Sequence, residues 1–209
     1  MKKLVLLILL FLSFNLYSQK QIFESPQLSS ATKVHKIVAI IPFVVKITYK
    51  KQPKNFSADA NKEQEQKMAK SIQSSMYTFL LRKADKYTVS FQDVEKTNIL
   101  LKKAGIADKL DEMTKDEIAK ILGVDAVISG TFESEQTKTE AGAIVSAVIF
   151  GGFGGKTGSG SLTMMINNGT DGELLWRFFK TMDDNIATGT DDLVESMMRK
   201  VSRNFPYLK

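Results

Sequence analysis

Apolar and polar positions along the chain fall into two periods. The run Ile37-Val38-Ala39-Ile40-Ile41 is short, continuous and β-branched, which predicts a buried strand covered on both faces. Pro42 should end or bulge it. A polar stretch over 52–60 reads as a loop. From about Asn61 to Arg82 the spacing changes, and Met68, Ile72, Met76, Phe79 and Leu80 recur every three or four residues, the face of an amphipathic helix. Asn61 and Gln64 have the spacing of a capping box. Residues 87–91 alternate as a strand, and Val94, Ile99, Leu100 and Leu101 lie on a helix closed by Gly105. Thr114 to Glu117 is a capping box for a helix through Ile118, Ile121 and Leu122, stopped by Gly123. Residues 124–132 read as a third strand. Residues 161–181 read as a hairpin around a tight turn at Asn168-Gly169. A last helix, opened by Thr190-Asp191-Asp192, presents Leu193, Met197, Met198 and Val201, and Pro206 prevents its continuation.

The order is strand, helix, strand, two helices, strand, hairpin, helix. It predicts an α/β sandwich: a mixed sheet with helices packed on it, then a C-terminal β-hairpin and a helix. Residues 34–209 are expected to form one domain, with an apolar, Gly-rich segment at 141–160.

The first residues change the picture of where the protein works. Lys2 and Lys3 precede nine residues, 4–12, without a polar side chain. This is the layout of a secretory signal peptide, expected over 1–18, and the apolar run is too short to span a membrane. Residues 19–33 are Ser- and Gln-rich and read as a flexible leader. Losing two lysines and no acid lowers the formal charge from +6 to +4, too mild a balance for a nucleic-acid partner.

Composition removes several chemistries. The 209 residues contain no Cys and one His. Disulfides, thiolate metal sites, cysteine nucleophiles and a lipid anchor on an N-terminal cysteine are therefore excluded, as is any site needing two histidines. Gly151 to Thr157 ends Gly-Lys-Thr like a phosphate loop, but Phe150 stands where the first glycine belongs, and Gly158-Ser159-Gly160 opens no helix. No nucleotide is expected. The adjacent acids Asp111/Glu112, Asp116/Glu117, Asp183/Asp184 and Asp191/Asp192 point in different directions and mostly sit near helix starts. A hydrolase using Asp183 and Asp184 is the weaker alternative reading. His35 is expected at a surface or edge, and Trp176 in the core. A soluble module for peptidoglycan or another envelope polymer is a further alternative.

Residues 141–155 carry no charge. An exposed apolar stretch of that length is a liability unless something covers it. It reads as a buried core element, an interface between copies or with a partner, or an outer-membrane contact. The interaction candidates are Ile144, Val148, Phe150 and Phe153.

Four segments together resemble one group of bacterial envelope proteins. Val38-Ala39-Ile40-Ile41-Pro42-Phe43 resembles the first strand of the curli secretion channel subunit (CsgG), of LpoB and of the TolB N-terminal domain. Residues 122–132, the segment Asp171 to Arg177, and the closing helix running to Asn204-Phe205-Pro206-Tyr207 resemble later parts of the same group, in the same order. The resemblance implies a CsgG- or TolB-N-like fold and a non-enzymatic envelope protein without cofactor or metal. It would act in assembly, export or regulation through a protein partner or self-association. Many members are lipoproteins, whereas this chain has no lipobox cysteine. The expected location is the periplasm or the outer-membrane surface, without a lipid anchor.

Overall fold

The computed structural model describes residues 21–136, 157–182 and 190–209. The described chain runs β1 (Gln21–Glu24), α1 (Leu28–Val34), β2 (Ile37–Ile40), β3 (Val44–Tyr49), α2 (Ala58–Leu81), a single 3₁₀ turn (Ala84–Lys86), β4 (Ser90–Phe91), α3 (Val94–Lys103), α4 (Lys115–Leu122), β5 (Ala126–Gln136), β6 (Thr157–Asn168), β7 (Leu174–Met182) and α5 (Thr190–Val201). Seven strands form one mixed sheet in the order β1-β7-β6-β5-β2-β4, with β3 also paired to β5. Five α-helices accompany the sheet, so the expected α/β class, with a hairpin and then a helix near the C-terminal end, is what the chain adopts.

The centre of the sheet is one long strand facing two short ones. β2 and β3 both pair parallel with β5, through Val38↔Ala126 to Ile40↔Ile128 and then Val44↔Thr131 to Tyr49↔Gln136. The break between them falls at Pro42, which has no N–H to give to a ladder. Two groups close the gap. Ile41 N donates to Ile128 O at 3.0 Å, and the buried Gln73 amide of α2 donates to Ile40 O at 2.7 Å. Phe43 then turns into the core over Gly130, where a Cβ would stand 2.2 Å from its ring and 2.6 Å from Thr163 O. Only glycine lets the ring and the β6 backbone approach this closely.

The outer edge of β3 is closed by α2. Glu65 Oε1 accepts from Ile47 N at 2.8 Å, and Asn61 Nδ2 donates to Ile47 O at 3.3 Å. Asn61 is therefore an edge clamp and not the expected helix cap. The helix begins earlier, at Ala58, with Ser57 Oγ accepting from Ala60 N. The predicted box at the next site does form: Glu117 Oε2 accepts from Thr114 N at 3.0 Å, and Gly123 ends α4 at φ 65°.

Two cores result. The larger joins α2 and α5 to one face of the sheet, through Ile72, Met76 and Leu80 with Ile128, Leu162, Met164, Met197 and Met198. Each such fully buried side chain contributes about 1.5–3 kcal/mol. Tyr87, Phe91, Trp176, Phe205 and Tyr207 form a ring cluster at one end of this core, mostly edge-to-face. The smaller core packs Leu101, Ile118, Ala119 and Leu122 of α3 and α4 on Ala39, Ile41 and Val127.

Three local expectations are corrected. Residues 21–33, expected within a flexible leader, hold β1 and all but the last residue of α1. β1 completes the sheet by backbone pairing with β7, Gln21↔Phe179 to Glu24↔Trp176, a cause that leaves no hydropathy period. The strand over 87–91 shrinks to Ser90–Phe91, because Tyr87 and Thr88 instead meet the C-terminal tail: Tyr87 bridges Leu208, and Thr88 N donates to Tyr207 O. The β6–β7 hairpin is present, but its turn is longer than Asn168-Gly169 suggests. Gly172, at φ 75°, adopts the left-handed conformation there, and Gly172 N donates to Asn168 O.

Candidate functional site

Ile144, Val148, Phe150 and Phe153 lie outside the described residues, as do the whole uncharged segment, the residues read as a signal peptide, and Asp183 and Asp184. The sheet nevertheless fixes where that segment is attached. β5 and β6 pair from Ala126↔Asn168 as far as Gln136↔Thr157. The chain between 136 and 157 therefore leaves and re-enters at one point, the end of the longest ladder in the sheet.

The described acids assemble no metal centre. Glu117 is occupied as a helix cap, and Asp116 lies against Gly172 in the β6–β7 turn. Among the described residues, no group of three or more His, Asp or Glu could hold a metal ion. No helix among them is long and apolar enough to cross a membrane. Trp176 is fully buried and stacks on Phe178, as expected of a core residue, so it offers no platform for a glycan.

His35 contradicts its expectation. It is only 6% exposed. Tyr207 Oη–H donates to its Nδ1 at 2.8 Å, and its Nε2 lies 3.2 Å from Asn168 Oδ1. Burial, and then the charge of Asp125, push the Tyr207 hydroxyl well above its ordinary range, so the phenol stays protonated and donates. That makes Nδ1 the acceptor and leaves Nε2–H for Asn168. Alongside, Asp125 Oδ2 accepts from Lys36 N at 2.7 Å and Ile37 N at 2.8 Å. Burial alone would raise this carboxyl. The two backbone bonds, with His35 and Lys36 nearby, outweigh it and hold Asp125 below the usual range. The network ties the starts of β2 and β5, the end of β6 and the C-terminal tail into one knot. Its partners are 133 and 172 residues from His35, so no local sequence signal could have found it. Tyr207 itself is fully buried, so its hydroxyl acts as a clamp inside the fold.

The other feature that sequence reasoning missed is a sheet face. Away from the large core, α3 and α4 cover β2 and the beginning of β5. Among the described residues, no helix covers the remainder of that face. Register places Val44, Thr131, Thr163 and Phe179 in one row across β3, β5, β6 and β7, with Met165, Arg177 and Phe23 in the next row to one side. Lys46, Glu133, Ser161 and Thr181 form the row on the other side. Phe23 is 48% exposed and Val44 47%. The Arg177 guanidinium lies 5.8 Å from the Phe179 ring centroid. None of Lys46, Glu133, Glu135 and Arg177 has an ion pair among the described residues. Antiparallel strands with one wet face ordinarily alternate apolar and polar. Two phenylalanines, a valine and a methionine on the wet side depart from that pattern.

No known family matches the sequence, and no curated protein matches it. Several solved structures resemble the fold. A lipoprotein, GNA1162, from Neisseria meningitidis aligns with 81% of this chain and 99% of its own, at 11% identity and a TM-score of 0.49. The PelC dodecamer from Paraburkholderia phytofirmans aligns with 88% of this chain and 95% of its own, at 15% identity and a TM-score of 0.37. E. coli LpoB aligns with 77% of this chain and 65% of its own, at 13% identity and a TM-score of 0.40. Likenesses this remote carry no argument about activity or partner.

Proposed function

We propose that the chain is a non-catalytic, exported cell-envelope protein that acts in assembly, export or regulation through contact with another protein or with its own copies. One observation carries this reading. The uncharged stretch at 141–155 is attached at the end of the β5–β6 ladder, among the exposed polar side chains of Thr48 and Glu135. An apolar stretch attached at a polar sheet end is suited to burial against something else. Ile144, Val148, Phe150 and Phe153 are the contact residues of this reading, with a protein partner, another copy or the outer-membrane surface as the other side.

The test is cell fractionation, followed by light scattering of the purified chain with and without mild detergent, for wild type and Val148→Asp. The expected outcome is export, association of wild type with the envelope or with itself, and loss of that association in Val148→Asp at unchanged thermal stability. A chain that stays in the cytosol, or a variant matching wild type in oligomer state, membrane fraction and stability, refutes the reading.

A further inference from the structure

We infer that the open face of the sheet, made by β3, β5, β6, β7 and β1, is a self-association surface whose occupant is the same face of a second copy. This goes beyond the function proposed above, which rests on residues 141–155. Three observations support it.

The first is charge. The whole chain is formally +6, but the four charges named on this face balance, Lys46 and Arg177 against Glu133 and Glu135. A surface of net zero charge can be laid on its own copy without the repulsion that the rest of this basic molecule would bring.

The second is the placement of those charges. Arg177 is on β7 in the row of Met165, while Glu133 is two strands away on β5 in the row of Ser161. Two strand spacings and four residues along the strand put them roughly 16 Å apart, too far to pair within one chain. A two-fold axis lying in the interface, diagonal to the strands and passing over Thr163, interchanges the two corners. Arg177 of each copy then meets Glu133 of the other, as an isologous interface requires. The strands of the two sheets cross near a right angle, one of the two ordinary ways in which sheets stack.

The third is the apolar content between those corners. Phe179 and Met165 lie half-buried beside β-branched Thr163 and Thr131, and Phe23 and Val44 extend the patch to both sides. Five strands and about six residues of length give a footprint of roughly 20 by 20 Å. That is about half of the ~800 Å² per partner found in a stable interface, so the dimer is weak and depends on concentration.

The experiment is sedimentation velocity of the purified chain from about 1 to 200 μM, for wild type, Arg177→Glu, Glu133→Arg and the double charge swap. All four are repeated in the Val148→Asp background, and circular dichroism confirms that each is folded. Both substituted side chains are exposed, so folding is expected to be unaffected. The expected result is a reversible dimer, weakened at least about tenfold by either single reversal and restored by the double swap, in both backgrounds. A monomer at every concentration overturns the inference, as does an association indifferent to the reversals or a double swap that fails to rescue. Association abolished by Val148→Asp alone overturns it and leaves the proposed function standing. A charge-sensitive dimer in a chain that neither reaches nor contacts the envelope does the reverse.

Discussion

His35 and Tyr207 share a buried hydrogen bond. Removing one partner of such a pair strands the other, which costs more than the net value of the bond. Tyr207→Phe keeps the ring in its aromatic cluster and deletes only the hydroxyl. It should lower stability by about 1–2 kcal/mol, read as a shift of the urea midpoint with unchanged slope. Asp125 adds a pH dependence. Its folded carboxyl is held below the ordinary aspartate range, so its contribution is fully present above the unfolded value and is lost as pH falls through the folded one. Asp125→Asn should therefore destabilise the protein at pH 7. The gap to wild type should close as urea titrations are repeated from about pH 5 down to about pH 2. A gap independent of pH would place the loss in the Lys36 and Ile37 hydrogen bonds alone.

β2, β3 and β5 show which parts of the fold the sequence declares and which it does not. The run through Ile37 and Ile40, the break at Pro42, the box at Thr114 and the stop at Gly123 act within a few residues, and all of them formed. Their causes are local: hydropathy, a missing N–H, a side chain reaching back one turn. The lone histidine's burial, the Asn61 clamp on the β3 edge and the pairing of β1 with β7 depend on partners far along the chain, so no window of sequence contains them. The interaction candidates at 144–153 are unlike either group, since their motive was an absence of charge. Gly130 belongs with the long-range causes. Nothing in its sequence neighbourhood marks it, yet Phe43 and the β6 backbone both press on the position a Cβ would take. Phe43 can shift, but Thr163 O is main chain. Gly130→Ala should cost about 1–3 kcal/mol through overpacking, measured as a fall in thermal midpoint. Phe43→Leu in the same chain should recover only part of it.

At the scale of the molecule, the described residues form two unequal helical layers on one sheet. Among the described residues, α2 and α5 pack on one face, and α3 and α4 cover the other only around β2 and the start of β5, which leaves the strip of exposed Phe23, Val44 and Arg177. A reader of the sequence sees the alternation that makes these strands but not which face remains open, because coverage is decided by where α3 and α4 dock. The ties across this architecture also bear on time. Asp125 grips the β2 start from 88 and 89 residues away, and Tyr207 reaches His35 across 172. Closing loops of that length costs entropy before any contact rewards it. The antiparallel neighbours β6 and β7 can form early, while β2 must wait for β5 and the tail must wait for both. Such a topology is expected to slow folding, and the last ties can form only once nearly all of the chain has been delivered. In the exported chain proposed above, that delay would keep the polypeptide open for passage through a membrane.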